Sequence, residues 1–139
     1  MARAQESAFR KVRTALVVED DPHLRGLVRT HLESMGIQVT EAAEGRAAIL
    51  HVAVHRPDLV CLDLMLPELS GYEVCQFMRS DARLLGVPIL IMSARGLPQD
   101  RAYAEQVGAS TYLVKPFRRQ VFTAAVRELI GSLSGETRL

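Results

Sequence analysis

Two short segments, residues 59–64 ("LVCLDL") and 87–93 ("VPILIMS"), are apolar almost throughout. They constrain the fold more than any other feature of the chain. A half-exposed strand alternates apolar and polar residues, whereas a strand buried on both faces reads as a continuous apolar run. Residues 14–18 ("TALVV") form a third such run. Stretches of helical spacing lie between them. Leu24, Leu27, Val28, Leu32 and Met35 recur at helical intervals, and Gly36 follows as a stop. Residues 44–55 are helical and end before Pro57. Residues 72–81, 98–108 and 118–133 read as three further helices, the second polar and closed by Gly108. Residues 37–42 ("IQVTEA") alternate like a strand, and 111–114 ("TYLV") make a fifth. Five β/α pairs in this order predict a doubly wound α/β fold, a parallel sheet covered on both faces with right-handed crossovers. In such a sheet ligands bind beyond the carboxyl ends of the strands.

The chain has 139 residues, 48% hydrophobic and 24% charged, which suits one domain with its own core. Its net charge of +1 favours neither nucleic acid nor membrane as a partner. No apolar run approaches the roughly 20 residues needed to span a bilayer. The first residues lack an apolar signal region, so a cytoplasmic location is expected. Residues 1–13 carry Arg3, Arg10, Lys11 and Arg13 against Glu6 and read as a flexible basic arm. Residues 14–133 are expected to form the domain, and 134–139 a tail or linker. Cys61 and Cys75 sit among apolar residues and read as buried thiols. His51 and His55 are four apart, but no third ligand is near them, so they read as a solvated helix face.

Four of the five strands deliver a polar group to the carboxyl edge. Strand one ends in Glu19, Asp20 and Asp21, strand three at Asp63, strand four at Ser93 and strand five at Lys115. A carboxylate cluster favours a hard cation with oxygen ligands, and Mg²⁺ takes one or two carboxylates plus waters and a phosphate oxygen. Asp63, ending a buried strand, suits a nucleophile toward a phosphoryl group. Lys115 and the metal would neutralise the transferred group, and the Ser93 hydroxyl would bond a phosphate oxygen. Of the three adjacent acids, Asp21 precedes Pro22 and is expected to cap the following helix. A nucleotide-binding turn would need glycines after strand one, and "EDDPHLR" has none. A dehalogenase-type phosphatase would need a second Asp two residues after the first, where this chain has Met65.

The pieces "LVVEDDP", "DLVCLDLMLPELSGYE", "PILIMSA" and "GASTYLVKPF" together resemble the receiver domain of two-component response regulators, over roughly residues 13–133. The resemblance implies a flavodoxin/CheY-like sheet of order 2-1-3-4-5 with five helices. It implies that Asp63 accepts a phosphoryl group from a sensor histidine kinase or phosphotransfer protein. Asp20 would ligate Mg²⁺ directly, Glu19 mainly through water, and the Met65 backbone carbonyl would be a further ligand. Ser93 stands at the switch hydroxyl, Tyr112 at the switch aromatic and Lys115 at the conserved-type lysine. The Lys115–Pro116 bond is expected to be cis. Met65 and Arg95 stand where the family tunes phosphate lifetime.

Phosphorylation would then remodel the face of the fourth helix, fifth strand and fifth helix for a partner or output domain. The chemistry expected is self-phosphorylation and autodephosphorylation only. Ser110 and Thr111, with Ala125 in the last helix, depart from the charged residues that join some receivers symmetrically, so a monomer or weak dimer is expected. Direct nucleic-acid binding and membrane association are not. Whether the chain is a stand-alone receiver or one excised from a longer protein stays open. The rival readings are a pseudo-receiver adaptor that works without phosphorylation and a true phosphatase.

Overall fold

The structure is a computed structural model and describes residues 12–134. Five strands, β1 (Thr14–Val18), β2 (Gln38–Ala42), β3 (Leu59–Asp63), β4 (Ile89–Ser93) and β5 (Thr111–Val114), form one sheet of order β2-β1-β3-β4-β5. All neighbours are parallel. Five helices intervene: α1 (Pro22–Glu33), α2 (Gly45–Val54), α3 (Gly71–Arg79), α4 (Pro98–Gln106) and α5 (Arg119–Ser134). The predicted fold class and strand order are those observed.

The strand period of two sorts the core into two layers. Leu16, Val18, Val60, Leu62, Ile89 and Ile91 pack against Ala48 and Val52 of α2, Val74 and Met78 of α3, and Ala104 of α4. Ala15, Val17, Leu59, Cys61, Leu90 and Met92 pack on the other side, against Val28 and Leu32 of α1 and Phe122 and Val126 of α5. The unbroken apolar runs of β3 and β4 follow from this, because both strands are central and buried at every residue. β2 is an edge strand and alternates exposed with covered residues, which explains its mixed sequence.

Local chemistry fixes the turns that carry the site. The Asp21 carboxylate accepts from the His23 N–H at 3.0 Å with Pro22 opening α1, as the sequence predicts for a cap. Gly36, at φ 83°, follows α1 in the left-handed conformation that lets the chain turn back into β2. The start of α3 abuts the end of β3 so closely that a Cβ on Gly71 would collide with the Asp63 carbonyl oxygen. A short 3₁₀ turn, Ala82–Leu84, precedes β4 and has no counterpart in the sequence reading.

The expected basic arm (1–13) and tail or linker (134–139) lie outside the described residues except for Val12, Arg13 and Ser134. Arg13 bonds into the domain: its N–H donates to Asp58 at 2.9 Å and its carbonyl accepts from Gln38 at 2.8 Å. No helix among the described residues is long and apolar enough to cross a membrane.

Candidate functional site

Every strand-end residue singled out above lies at the carboxyl edge of the sheet. Glu19 follows β1 directly, and its N–H donates to the Ala42 carbonyl at 3.1 Å, extending the β1–β2 pairing by one residue. Asp63 closes β3 opposite Met92, and Ser93 is the next residue of β4, opposite Val114. Lys115 follows β5, with its N–H donating to the Ser93 carbonyl at 2.7 Å, and the Lys115–Pro116 bond is cis.

These placements bring charges together. Carboxylate oxygens of Glu19, Asp20 and Asp63 lie within 4.8 Å of one another. Lys115 Nζ lies 2.7 Å from Glu19 Oε1 and 3.1 Å from Asp63 Oδ2. The second Glu19 oxygen accepts from the Asp21 N–H at 3.1 Å, and Asp63 Oδ1 accepts from the Met65 N–H at 3.0 Å. Glu19 and Asp63 are buried, at 1% and 3% exposure, whereas Asp20 is open to solvent.

One ammonium, paired with Glu19 and Asp63, stands in a cluster of three carboxylates, so negative charge is in excess. Burial, with the nearby Asp63 charge adding to it, raises the Glu19 pKa from 4.5 to about 7 against the opposing bonds from Lys115 and the Asp21 N–H. Burial alone would lower the Lys115 pKa, but its bonds to Glu19 and Asp63 hold it above its ordinary value. An all-oxygen donor set with uncompensated negative charge fits a hard divalent cation. In the acidic run, Glu19 and Asp20 belong to the carboxylate cluster, and Asp21 is engaged at the helix start.

The hydroxyl and aromatic residues form a second linked set. Ser93 Oγ is fully buried and accepts from the Arg95 N–H at 3.1 Å. The Tyr112 hydroxyl donates to the Arg95 carbonyl at 2.7 Å, and the Arg101 guanidinium lies 5.2 Å from the Tyr112 ring centroid. Arg95 Nε pairs with Asp100 Oδ1 at 3.2 Å, and Asp100 Oδ2 accepts from the Leu97 N–H at 3.2 Å. The loop after β4 is therefore tied at once to Ser93, Tyr112 and α4. Sequence reading singled out Ser93 and Tyr112 but not the bonds through Arg95 and Asp100, because the loop geometry that brings these groups together leaves no trace in residue type.

The His51 and His55 rings, on and just after α2, lie 5.0 Å apart and tilted at 35°, and they belong to no three-ligand cluster among the described residues. Cys61 and Cys75 are buried free thiols, both held protonated by burial, Cys75 at about 12.

The model of one family, described as the response regulator receiver domain, matches residues 15–127. The chain is 39% identical over 115 residues to the DNA-binding dual master transcriptional regulator RpaA of Synechocystis sp., covering 83% of this chain and 48% of that protein. It is 37% identical over 116 residues to the response regulator Rre1 of the same organism, again covering 83% of this chain and 50% of the relative. The chain thus spans about half the length of the curated relatives it matches. Among solved structures, it is 33% identical to the receiver domain of a sensor histidine kinase from Pseudomonas aeruginosa, with a TM-score of 0.78 over 86% of this chain and 98% of that one. That domain was solved with a magnesium ion coordinated in its active-site cleft. The chemotaxis response regulator CheY4 of Vibrio cholerae matches at 27% identity and a TM-score of 0.81, covering 85% of this chain and 98% of that one.

Proposed function

The chain belongs to the response regulator receiver domain family, a family of phosphorylation-dependent switches, and we propose that its phosphoryl acceptor is Asp63. Domains of this class catalyse only their own phosphorylation and dephosphorylation. The observation that carries the reading is the Lys115 ammonium between Glu19 and Asp63, with Asp20 beside them.

In this reading an Asp63 carboxylate oxygen forms a P–O bond as the P–N bond of a donor phosphohistidine breaks, and the donor imidazole leaves. The donor is a sensor histidine kinase or phosphotransfer protein. The Met65 N–H and Lys115 fix the two carboxylate oxygens beforehand, so the nucleophile meets the donor already oriented. Lys115 then neutralises charge on the transferred group. Glu19, Asp20 and Asp63, with the Met65 carbonyl, would hold Mg²⁺, and the cleft of the Pseudomonas relative holds a magnesium ion. The bound cation supplies further neutralisation of phosphoryl oxygens.

Ser93 is the group that turns toward the phosphoryl oxygens. Turning requires Ser93 Oγ to leave the Arg95 N–H, which loosens the loop that the Tyr112 hydroxyl also holds. The α4–β5–α5 face is thereby shifted toward a state that a partner or output domain reads. The receiver takes residues 14–133, flanked by an arm (1–13) and a tail or linker (134–139). It works in the cytoplasm, where the free thiols Cys61 and Cys75 stay reduced, as a monomer or weak dimer that does not itself bind nucleic acid.

Incubation with Mg²⁺ and acetyl phosphate tests this reading by intact-mass spectrometry. A single phosphoryl adduct that is absent from Asp63→Asn is expected. No adduct on the wild type, with beryllofluoride leaving its spectra unchanged, would favour a phosphorylation-independent adaptor. Asp20→Asn should weaken Mg²⁺ binding far more than Asp21→Asn, and equal effects would undo the assignment of metal ligands.

A further inference from the structure

Arg25 reaches the candidate metal site from α1 without touching a carboxylate there. Its Nη1 donates to the Glu19 backbone carbonyl at 2.9 Å, and its Nε donates to Glu41 Oε1 at 2.7 Å. The other Glu41 oxygen accepts from Arg29 Nη1 at 2.7 Å, and Arg29 Nε pairs with Glu33 at 3.0 Å. A planar guanidinium fork can serve a carboxylate and a carbonyl together, which an ammonium on a flexible stem cannot do in the same geometry.

The peptide leaving β1 is therefore gripped at successive groups. The Glu19 N–H is held by the Ala42 carbonyl, and the Glu19 carbonyl by Arg25. Glu41, the anchor of Arg25, lies in β2 opposite Val17, so the grip is referred to the sheet itself. The Glu19 carbonyl shares a rigid plane with the Asp20 N–H. Among the described residues no hydrogen bond or ion pair holds the Asp20 carboxylate, so its position depends on that backbone.

We infer that Arg25 is a positioning residue for the metal site: it fixes the turn after β1 so that Asp20 presents its carboxylate beside Glu19 and Asp63. The inference rests on the metal reading proposed above. Its role has a signature that charge alone reverses. As a cation near an acidic cluster, Arg25 opposes a divalent ion, so its removal would tighten binding. As a positioning residue it favours the ion, so its removal weakens binding.

The test uses the full 139-residue chain. Mn²⁺ is the probe, with free ion counted by electron paramagnetic resonance and Mg²⁺ added as competitor. Arg25→Ala should weaken Mn²⁺ binding by about tenfold or more, the usual scale for losing a group that orients a metal ligand. Arg25→Lys, which keeps the charge, should also bind more weakly than wild type. It decides the matter if circular dichroism shows the Ala variant unfolded. Tighter or unchanged binding by Arg25→Ala, or wild-type binding by Arg25→Lys, overturns the inference. A wild type that binds no Mn²⁺ removes the metal reading itself, and this inference with it.

Discussion

Lys115 and Glu19, 96 residues apart in the chain, meet at 2.7 Å at the carboxyl edge of the sheet. The glutamate is buried, and the same ammonium reaches Asp63 at 3.1 Å. The bridge therefore does two things: it holds the Asp63 carboxylate in place, and it makes a buried acid pair tolerable.

Replacing the bridge with an uncharged side chain should expose that second role. Lys115→Met leaves Glu19 and Asp63 facing each other with no cation. Removing one partner of a buried pair costs on the order of 3 kcal/mol, which urea titration without divalent ions would measure. The loss should shrink with Mg²⁺. It should also shrink as the pH falls. Glu19 already has its folded pKa raised from 4.5 to about 7, so its protonated form favours the folded state below 4.5, and that contribution is lost as pH rises through about 7. Without the ammonium this slope should steepen. A variant as stable as wild type in metal-free buffer at neutral pH would contradict the bridging role.

Arg79 of α3 illustrates a purely structural use of charge. Its side chain donates to the carbonyls of Gly108, Leu84, Leu85 and Val87, at 3.0, 3.0, 3.1 and 2.8 Å. It thus fastens the 3₁₀ turn and the start of β4 to the turn before β5. Arg79→Met should lower stability by about 2–3 kcal/mol in chemical denaturation, since hydrogen bonds to charged groups contribute roughly that much and some freed carbonyls regain water. Arg79→Lys, with one head for four acceptors, should recover only part. Full recovery by lysine would show that charge, not the fork, matters.

Legibility from sequence divides along the same line. Asp63, Ser93 and Lys115 were readable because each is a polar residue closing an apolar run, and a parallel sheet sends all such ends to one edge. The split of Glu19 and Asp20 from Asp21 was readable because Pro22 marks a helix start. The bonds of Lys115, Arg25 and Arg79 were not. Arg79 and Arg25 look like ordinary solvated positions on amphipathic helices, and their acceptors are mostly backbone carbonyls that every residue carries. The loop bonds through Arg95 and Asp100 were hidden because they depend on the path of the loop after β4, which no residue pattern fixes.

The α1–α5 contact should make the fold sensitive to mild acid. His31 is buried on α1 with its ring 5.8 Å from the Phe122 ring of α5. Burial, assisted by the positive Arg119, lowers its pKa from 6.5. The unfolded chain then takes up a proton at higher pH than the folded one. Stability is therefore full above 6.5 and is lost as pH falls through the folded pKa. Urea midpoints at neutral and mildly acidic pH should diverge for wild type and move closer together for His31→Leu, which has nothing to protonate there. An unchanged acid slope in that variant would assign the sensitivity elsewhere.

The switch itself should be visible through tyrosine. The chain has three tyrosines and no tryptophan. Tyr72 and Tyr103 meet edge to face at 4.7 Å, Tyr112 is near enough to perturb the Tyr72 hydroxyl, and Tyr112 donates to the Arg95 carbonyl at 2.7 Å. All the intrinsic fluorescence therefore originates beside the loop after β4. Beryllofluoride with Mg²⁺ should draw Ser93 Oγ from the Arg95 N–H, disturb the Tyr112 bond and change the emission. Ser93→Ala lacks the hydroxyl that accepts from the Arg95 N–H, so it should still take up beryllofluoride at Asp63 while its emission stays nearly constant. Tyr112→Phe should lose the hydroxyl bond before any ligand is added, so its starting emission should already differ and its response should be smaller. An undiminished response in Ser93→Ala would mean that the signal leaves Asp63 by a route other than the hydroxyl.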